Sequence, residues 1–199
     1  MTANNRGRIV IISGPSGAGK TTVLAEVLKQ APVPLVKSVS TTTRRPRPAE
    51  VDGEDYHFIS AEEFEKRRLR GDFLECFEVF GSGQWYGTLE SEVDKGLQDG
   101  KWVVLEIDVQ GALEVIKQFP DAITIFVSPG GREELERRLR GRGTESDDAV
   151  ERRLEEAYHE MDQADRYRYQ VVNDDVRRAV DEIRNILSSN CNTEKKQDD

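Results

Sequence analysis

The feature that most restricts the fold of this chain is a glycine-rich segment near its beginning. Residues 14–21 read G-P-S-G-A-G-K-T and fill the pattern G-x-x-x-x-G-K-[ST] without a gap. The apolar run Arg8–Ser13 precedes this segment, and a helical pattern over Lys20–Gln30 follows it. Glycines at this spacing let successive backbone N–H groups curl around an anion, and a helix N-terminus adds a favourable dipole. The segment therefore predicts a phosphate-binding loop between a buried strand and a helix.

Each part of this loop has an expected role in holding ATP. Lys20 places a cation beside the β- and γ-phosphates, and the Thr21 hydroxyl is the candidate ligand for Mg²⁺. The rest of the loop supplies the other candidate ATP-binding residues, which are Gly14, Pro15, Ser16, Gly17, Ala18 and Gly19. The loop alone does not separate kinases from GTPases or motor ATPases. A GTPase also needs a guanine-reading N-K-x-D sequence, and the segment N-D-D at residues 173–175 lacks the lysine.

Strand and helix patterns alternate along the rest of the chain. Buried-strand patterns cover Trp102–Val109, Ala122–Ser128 and Tyr169–Val172, and the closing helix is predicted over Val176–Leu187. This alternation predicts an α/β fold, with a mainly parallel sheet of P-loop NTPase type and helices on both faces. The 199 residues allow one domain, which we expect at residues 7–188, before a disordered tail at 189–199.

Two segments interrupt the alternation. The first, at about residues 36–96, is rich in short strands and includes a strand at Val36–Ser40 and a loop at Gly81–Gly87. The second, at about 138–155, is rich in arginine and leads into a helix predicted over Thr144–Ala164. The core would then comprise residues 7–35 and 97–187. Ligands of parallel sheets bind beyond the carboxyl ends of the strands, and we expect both segments to close over that edge.

The net charge limits the partners of this chain. A charge of −9 does not favour broad binding to nucleic acid or to anionic membranes, so an anionic ligand must meet a local group of cations. The longest apolar runs are far shorter than a bilayer span, and no signal peptide is recognisable, so we expect a cytoplasmic protein. Cys76 and Cys191 have neither metal-ligand nor disulfide spacing. The sequence leaves the oligomeric state open.

One such group of cations lies in the first interruption. Arg44 and Arg47 flank a turn stiffened by prolines, and guanidinium groups match phosphate oxygens in pairs. Tyr56 and Tyr86 can each donate a hydroxyl to the same phosphate. Alone, this segment would be interpreted as a solvated basic loop; beside a phosphate-binding loop it predicts a site for a second phosphorylated substrate.

Taken together, the motifs resemble the guanylate kinase family over nearly the whole chain, from about Arg8 to Leu187. They are S-V-S-T-T-T-R-R-P-R at 38–47, V-D-G-E-D-Y at 51–56, F-L-E at 73–75, Y-G-T at 86–88, L-E-I-D-V-Q-G at 105–111 and R-G-T at 142–144. The resemblance implies transfer of a phosphoryl group from ATP to GMP with Mg²⁺, and also to dGMP, in purine nucleotide metabolism. It also implies that the first interruption binds GMP and that the second is a lid over ATP.

The resemblance further implies which residues form the site. The residues matching the family's GMP contacts are Ser40, Arg44, Arg47, Tyr56, Glu75, Tyr86, Thr88 and Asp108. Asn173 matches a contact to adenine. The catalytic group would comprise Lys20, Arg44, Arg138, Arg142 and Arg153. The neighbouring arginines, by contrast, would be solvated, namely Arg137, Arg140 and Arg152.

The choice of base can be argued from hydrogen bonding. Guanine presents two donors on one edge, N1–H and the 2-amino group, whereas adenine offers an acceptor at N1. A carboxylate accepts from both guanine donors, so Glu75, with Asp108 as a second candidate, would favour guanine. Two alternatives stay open: a kinase for another phosphorylated acceptor, such as a ribosyl phosphate, and a protein-binding scaffold without catalysis. The scaffold would have little need for Lys20, Thr21 or the lid arginines.

Overall fold

The computed structural model describes residues 7–79, 83–141 and 147–194 of the chain. Its elements in chain order are β1 (Ile9–Ser13), α1 (Lys20–Lys29), β2 (Leu35–Lys37), β3 (Thr41–Thr42), β4 (His57–Phe58), α2 (Ala61–Arg70), β5 (Phe73–Val79), β6 (Gln84–Leu89), α3 (Glu90–Gln98), β7 (Trp102–Glu106), α4 (Val109–Gln118), β8 (Ile123–Ser128), α5 (Arg132–Arg140), α6 (Asp147–Met161), a 3-10 turn at Ala164–Arg166, β9 (Tyr169–Val172) and α7 (Val176–Glu194).

Five strands form the main sheet in the order β2-β7-β1-β8-β9, and each neighbouring pair is parallel. β1 is the central strand, and its register places Ile12 beside Glu106 at the end of β7. Because all five strands run in one direction, the loop after β1 and the residues after β7 meet at the same edge. The predicted parallel sheet is confirmed.

Both faces of this sheet are covered by helices. Val10 and Ile12 pack in one apolar cluster with residues of α1 and α7. Ile9 and Ile11, which alternate with them, pack in a second cluster with residues of α3 and α4. β1 is buried along its whole length because helices lie on both sides. The prediction of helices on both faces is therefore confirmed.

A second sheet, of order β4-β3-β6-β5, lies within the segment between β2 and α3. Two sequence predictions in this segment need correction. The strand expected at Val36–Ser40 is too long, because β2 covers Leu35–Lys37, residues 38–40 are not in a strand, and β3 of the second sheet begins only at Thr41. The loop expected at Gly81–Gly87 contains most of β6, which pairs antiparallel with β5. Gly87 pairs with Cys76 inside this strand, and a Cβ at position 87 would be 2.8 Å from the Cβ of Cys76, so the close approach of β5 requires glycine there.

The helical predictions near the end of the chain also need correction. α6 (Asp147–Met161) ends before Ala164, which belongs to the 3-10 turn, and residues 144–146 of the predicted helix lie outside the described part of the chain. α7 continues to Glu194, so residues 189–194 are helical where a disordered tail was expected. The extension is held by Asn190, whose Nδ2 donates to the Tyr169 hydroxyl at 3.0 Å and whose carbonyl oxygen accepts from Arg8 at 3.2 Å. Residues 195–199 lie outside the described part of the chain.

Within residues 7–79, 83–141 and 147–194, no helix combines the length and the apolar character needed to cross a bilayer.

Candidate active site

The glycine-rich loop connects β1 directly to α1, as predicted. Gly14 has a φ of +139°, and a Cβ there would lie 2.1 Å from the carbonyl oxygen of Val127. Gly19 has a φ of +83°, and its Cβ would lie 2.5 Å from Nδ2 of Asn173. Glycine is therefore required at both ends of the loop, by backbone conformation and by the close approach of neighbouring groups.

The two polar side chains at the start of α1 lie at the mouth of this loop. Lys20 Nζ donates to the carbonyl oxygens of Gly14 at 2.5 Å and Pro15 at 3.0 Å, so its ammonium group lies over the loop. The Thr21 hydroxyl donates to Oε1 of Glu106 at 2.5 Å. Glu106 Oε2 lies 2.9 Å from Lys37 Nζ. No role was predicted for Glu106 from the sequence. Its position as an acidic residue at the end of a buried strand could have indicated a residue of the site.

Asn173 and Arg138, two other residues predicted for the ATP side of the site, form hydrogen bonds that hold the backbone of the loop. The buried Asn173 donates from Nδ2 to the carbonyl oxygen of Ala18 at 2.7 Å. Arg138 Nη2 donates to the carbonyl oxygen of Asn173 at 2.7 Å, and its Nη1 donates to that of Ala18 at 3.4 Å. The Asn173 side chain thus holds the loop backbone, and its contact with adenine stays a prediction.

The other predicted lid arginines occupy different environments. Arg153 on α6 donates from Nη2 to Oγ of Ser16 at 2.8 Å, so it reaches the loop. Arg137 and Arg140 are exposed and pair with glutamates of their own helix, in agreement with the expected solvation. Arg152 is exposed as well. Arg142 lies outside the described residues.

On the acceptor side, two carboxylates face each other across the start of α4. Glu75 is only 9% exposed and accepts a hydrogen bond from the buried Thr88 hydroxyl at 2.6 Å. Asp108 caps α4 by accepting from the backbone N–H of Gly111 at 2.7 Å. A Cβ on Gly111 would lie 3.0 Å from Glu75 Oε2 and 3.3 Å from Asp108 Oδ1, so both carboxylates border this glycine.

Burial changes the acidity of this pair. It is the main reason that the pKa of Glu75 rises to about 7, and the negative charge of Asp108 adds to the effect. Burial likewise raises the pKa of Asp108. A buried carboxylate that retains an open face is costly without a ligand, because it lacks full hydrogen bonding. Glu75 and Asp108 are therefore suited to receive hydrogen-bond donors from a bound molecule.

The predicted phosphate-binding residues form a second group beside this pair. Arg44 donates from Nε to the Tyr86 hydroxyl at 2.9 Å, and its guanidinium carbon lies 5.4 Å from the centre of the Tyr56 ring. The rings of Tyr56 and Tyr86 meet edge to face, with centres 5.8 Å apart. Arg47 is different, because its side chain is 73% exposed and its Nη1 lies 3.9 Å from Oε1 of Glu50.

One cleft of about 570 Å³ joins the donor and acceptor groups. The donor residues that line it are Gly14, Ser16, Lys20 and Thr21, and the acceptor residues are Ser40, Tyr56, Glu75, Tyr86 and Asp108. The volume is typical of small-molecule sites. Arg44 borders the cleft through Tyr86, and Thr88 through Glu75, whereas Arg47 does not line it. The two predicted anion sites therefore open into one space.

Glu160 is a further acidic residue of this cleft that the sequence analysis missed. Its Oε2 accepts from the backbone N–H of Ser16 at 3.3 Å. Burial is the main cause that raises its pKa to about 7, Lys20 opposes the rise, and Asp108 and Glu156 add to it. The available signal was its spacing of seven residues from Arg153, which places both on one face of α6.

We expect Glu160→Gln to make the protein much more stable at pH 8 and only slightly more stable at pH 5. The folded protein holds the proton of Glu160 more tightly than the unfolded chain, whose pKa is near 4.5. Wild-type stability therefore falls as pH rises from 4.5 to 7, and the amide avoids this loss. The gain at pH 8 should be on the order of 10 °C in Tm, because the rise of the pKa from 4.5 to about 7 corresponds to ~3 kcal/mol, at ~1.4 kcal/mol per pKa unit and 2–4 °C per kcal/mol.

Thermal unfolding at both pH values measures this difference. The exposed Glu155→Gln on the same helix is the matched control and should show no pH-dependent gain. Equal Tm differences for Glu160→Gln at pH 5 and pH 8 would contradict the raised pKa.

Comparison with known proteins places the chain in a family. The family model described as Guanylate kinase matches residues 6–190. A guanylate kinase from Rhodopirellula baltica is 58% identical over 182 residues, which cover 91% of this chain and 87% of the relative. A guanylate kinase from Rubrobacter xylanophilus is 50% identical over 182 residues, which cover 92% of this chain and 94% of the relative.

Solved structures agree with these relatives. A crystal structure of guanylate kinase from Anaplasma phagocytophilum matches with a TM-score of 0.76 and 32% identity, covering 94% of this chain and 87% of that one. Shikimate kinase from Bacteroides thetaiotaomicron matches with a TM-score of 0.51 and 17% identity, covering 91% of this chain and 98% of that one. The second likeness shows the fold alone. The family model, the relatives and the first structure together show that this chain belongs to the guanylate kinase family.

Proposed function

We propose that this chain transfers the γ-phosphoryl group of ATP to GMP and releases ADP and GDP. The observation that carries the proposal is the shared cleft, in which Lys20 of the phosphate-binding loop and the buried Glu75 line one space. The guanylate kinase relatives support the same reaction. dGMP has the same base and the same phosphate, so we include it as a second acceptor.

On the donor side, the backbone N–H groups of the loop would hold the phosphates, and Lys20 would add a cation. Lys20 Nζ lies on the carbonyl oxygens of Gly14 and Pro15, and it would turn from them towards the β- and γ-phosphates. Arg138 and Arg153 already contact this loop, so their charges lie within reach of a bound triphosphate. Cations fixed in these positions stabilise the charge that spreads over the transferring group.

The residues beside the loop also fit Mg²⁺. The Thr21 hydroxyl and the Glu106 carboxylate are hard oxygen donors that already contact each other in the cleft. Magnesium sites of this kind use one or two carboxylates together with substrate phosphates. Thr21 and Glu106 would hold the ion, and Lys37 keeps the second Glu106 oxygen in place. A bound Mg²⁺ would neutralise part of the phosphate charge.

On the acceptor side, the contacts would separate base from phosphate. Glu75 would accept from N1–H and the 2-amino group of guanine, with Asp108 beside it. Tyr56 and Tyr86 would donate hydroxyls to the acceptor phosphate, together with Arg44. Ser40 lines the same wall of the cleft. This arrangement would hold the acceptor oxygen towards the donor, so positioning and charge carry the reaction without a strong base.

Water is a competing acceptor in any such reaction, so the cleft must exclude it. α6 contributes Glu156 and Glu160 to the cleft wall, and Arg153 of the same helix contacts the loop. These contacts support the proposal that this helix covers the donor phosphates. We propose that the arginine-rich segment at 138–155 serves as the lid, with closure protecting ATP from hydrolysis.

A coupled assay of ADP release tests the proposal. The purified protein with ATP and Mg²⁺ should release ADP rapidly with GMP and dGMP, and at least about 100-fold more slowly with AMP, CMP and UMP, because these lack the paired guanine donors. A ribosyl phosphate in the same panel tests the rival kinase. Failure to turn over at saturating GMP would refute the function. Turnover of the ribosyl phosphate instead would support the rival kinase, and no turnover with any acceptor would leave the non-catalytic scaffold.

A further inference from the structure

Glu50, to which neither the sequence motifs nor the proposed reaction gave a role, lies against the acceptor phosphate site. It forms a two-point contact with Arg44, with Oε1 accepting from Nη2 at 2.8 Å and Oε2 from Nη1 at 2.9 Å. Both side chains are largely buried, with 11% of Arg44 and 16% of Glu50 exposed. We propose that Glu50 is a positioning residue that orients Arg44 and, through it, the Tyr86 hydroxyl towards the acceptor phosphate. The proposal rests on the proposed function.

Most of the N–H donors of Arg44 already have hydrogen-bond partners within the protein. A guanidinium group has five N–H bonds and no acceptor. Nε–H points to the Tyr86 hydroxyl, Nη1 donates to Glu50 and to the carbonyl oxygen of Arg45, and Nη2 donates once to Glu50. Within the described part of the chain, this leaves a single Nη2–H for a ligand. The direction of that bond is set by the plane of the Arg44–Glu50 pair.

Glu50 is itself held in place. Its Oε2 accepts from the backbone N–H of Arg47 at 2.7 Å, and its own backbone N–H donates to the carbonyl oxygen of Arg47 at 3.0 Å. The hydrogen bonds from Arg44 are the main reason that the pKa of Glu50 is lowered, so the group stays ionised. A carboxylate tied to its own turn cannot follow Arg44 if the arginine moves. The turn therefore fixes the guanidinium, rather than the reverse.

The effect extends to Tyr86. Its oxygen accepts from Arg44 Nε, so its own proton remains available for donation to another acceptor. Tyr86 lines the cleft, where the acceptor phosphate would offer oxygens. The Tyr56 ring, 5.4 Å from the guanidinium carbon of Arg44, limits movement on the other side. Glu50 thus determines the direction of two donors without touching the ligand.

Charge alone would predict the opposite role for Glu50, in which it weakens phosphate binding. As an anion beside Arg44, it would compete with phosphate, and its removal would then tighten GMP binding. The two-point contact and the backbone hydrogen bond favour positioning, because a competitor must be free to leave. The two roles predict opposite changes in affinity, and the experiment below separates them.

Glu50→Gln is the test, since it keeps the shape and removes the charge that grips both Nη atoms. We expect the KM for GMP to rise by about tenfold or more, the KM for ATP to stay within about twofold, and kcat to change less than KM. Guanosine lacks the phosphate, so its inhibition constant as a competitor of GMP should not change. The exposed Glu54→Gln of the same loop is the matched control and should leave all values unchanged.

A second variant and a binding measurement keep the result interpretable. Glu50→Asp keeps the charge on a shorter side chain and should restore part of the GMP affinity, with Tm reported for every variant. An unchanged or lower KM for GMP in Glu50→Gln, or an equal loss of guanosine affinity, would overturn the proposal. Calorimetric binding of GMP without ATP tests Glu50 even if the wild type proves inactive, an outcome that would remove the proposed function instead.

Discussion

Replacing Lys20 with Ala is expected to lower kcat/KM for ATP and GMP by about three orders of magnitude or more. Lys20 is the cation at the mouth of the glycine-rich loop, where its ammonium group lies on the carbonyl oxygens of Gly14 and Pro15. In the reaction the ammonium group would move to the phosphates, and it would stabilise the transition state more than the bound substrates. The loss should therefore appear mainly in kcat, measured by ADP release at saturating substrates.

Two companion variants separate chemistry from folding. Lys20→Met keeps the apolar stem while removing the charge, and it should lose as much activity as Lys20→Ala at an unchanged Tm. Lys29→Ala, on the exposed end of the same helix, removes an equal charge far from the loop and should keep wild-type activity. If Lys20→Met retained more than about a tenth of the wild-type kcat, the loop lysine would not serve the transferring phosphate.

Replacing Glu75 with Ala is expected to collapse the preference for guanine. The carboxylate offers two acceptors to the two donors of guanine, whereas it faces the N1 acceptor of adenine unfavourably. We expect kcat/KM for GMP to fall by about 10³-fold and that for AMP to change by less than about fivefold. The ratio of the two values, measured under identical conditions, is the quantity to report.

The buried setting of Glu75 calls for its own controls. Truncation leaves the Thr88 hydroxyl without its partner, so Glu75→Gln, which keeps the volume, should be measured beside Glu75→Ala. Its amide N–H₂ would oppose the guanine donors, and the loss for GMP should be similar. Glu90→Ala removes an exposed carboxylate just after β6 and should not change the ratio. Loss of GMP and AMP turnover in equal proportion would show that Glu75 supports the fold rather than selecting the base.

The glycine-rich loop could be predicted from sequence because its geometry is local. The positive φ values of Gly14 and Gly19 and the turn into α1 depend on residues within a few positions of one another. The alternation of strands and helices is equally local, and it was sufficient to predict a parallel sheet covered on both faces. The family motifs then identified Glu75 and Asp108, which the fold brings to the two sides of Gly111.

The contacts that escaped prediction join residues far apart in the chain. Thr21 meets Glu106, and Ser16 meets Glu160, through the packing of elements whose relative positions no short pattern encodes. The position of Gly87 was mispredicted for another reason. A glycine inside a strand and a glycine in a turn look alike in sequence, and the close approach of β5, which requires glycine at this position of β6, becomes visible only in the structure.

Two residues of opposite charge on the same helix contact Ser16. Arg153 donates to the Ser16 hydroxyl, and Glu160 accepts from the backbone N–H of Ser16. Seven residues separate the two on α6, a length of about 10 Å along the axis. If α6 acts as the proposed lid, its withdrawal from the loop would require the loss of both hydrogen bonds to Ser16, so either one alone could keep the donor phosphates covered.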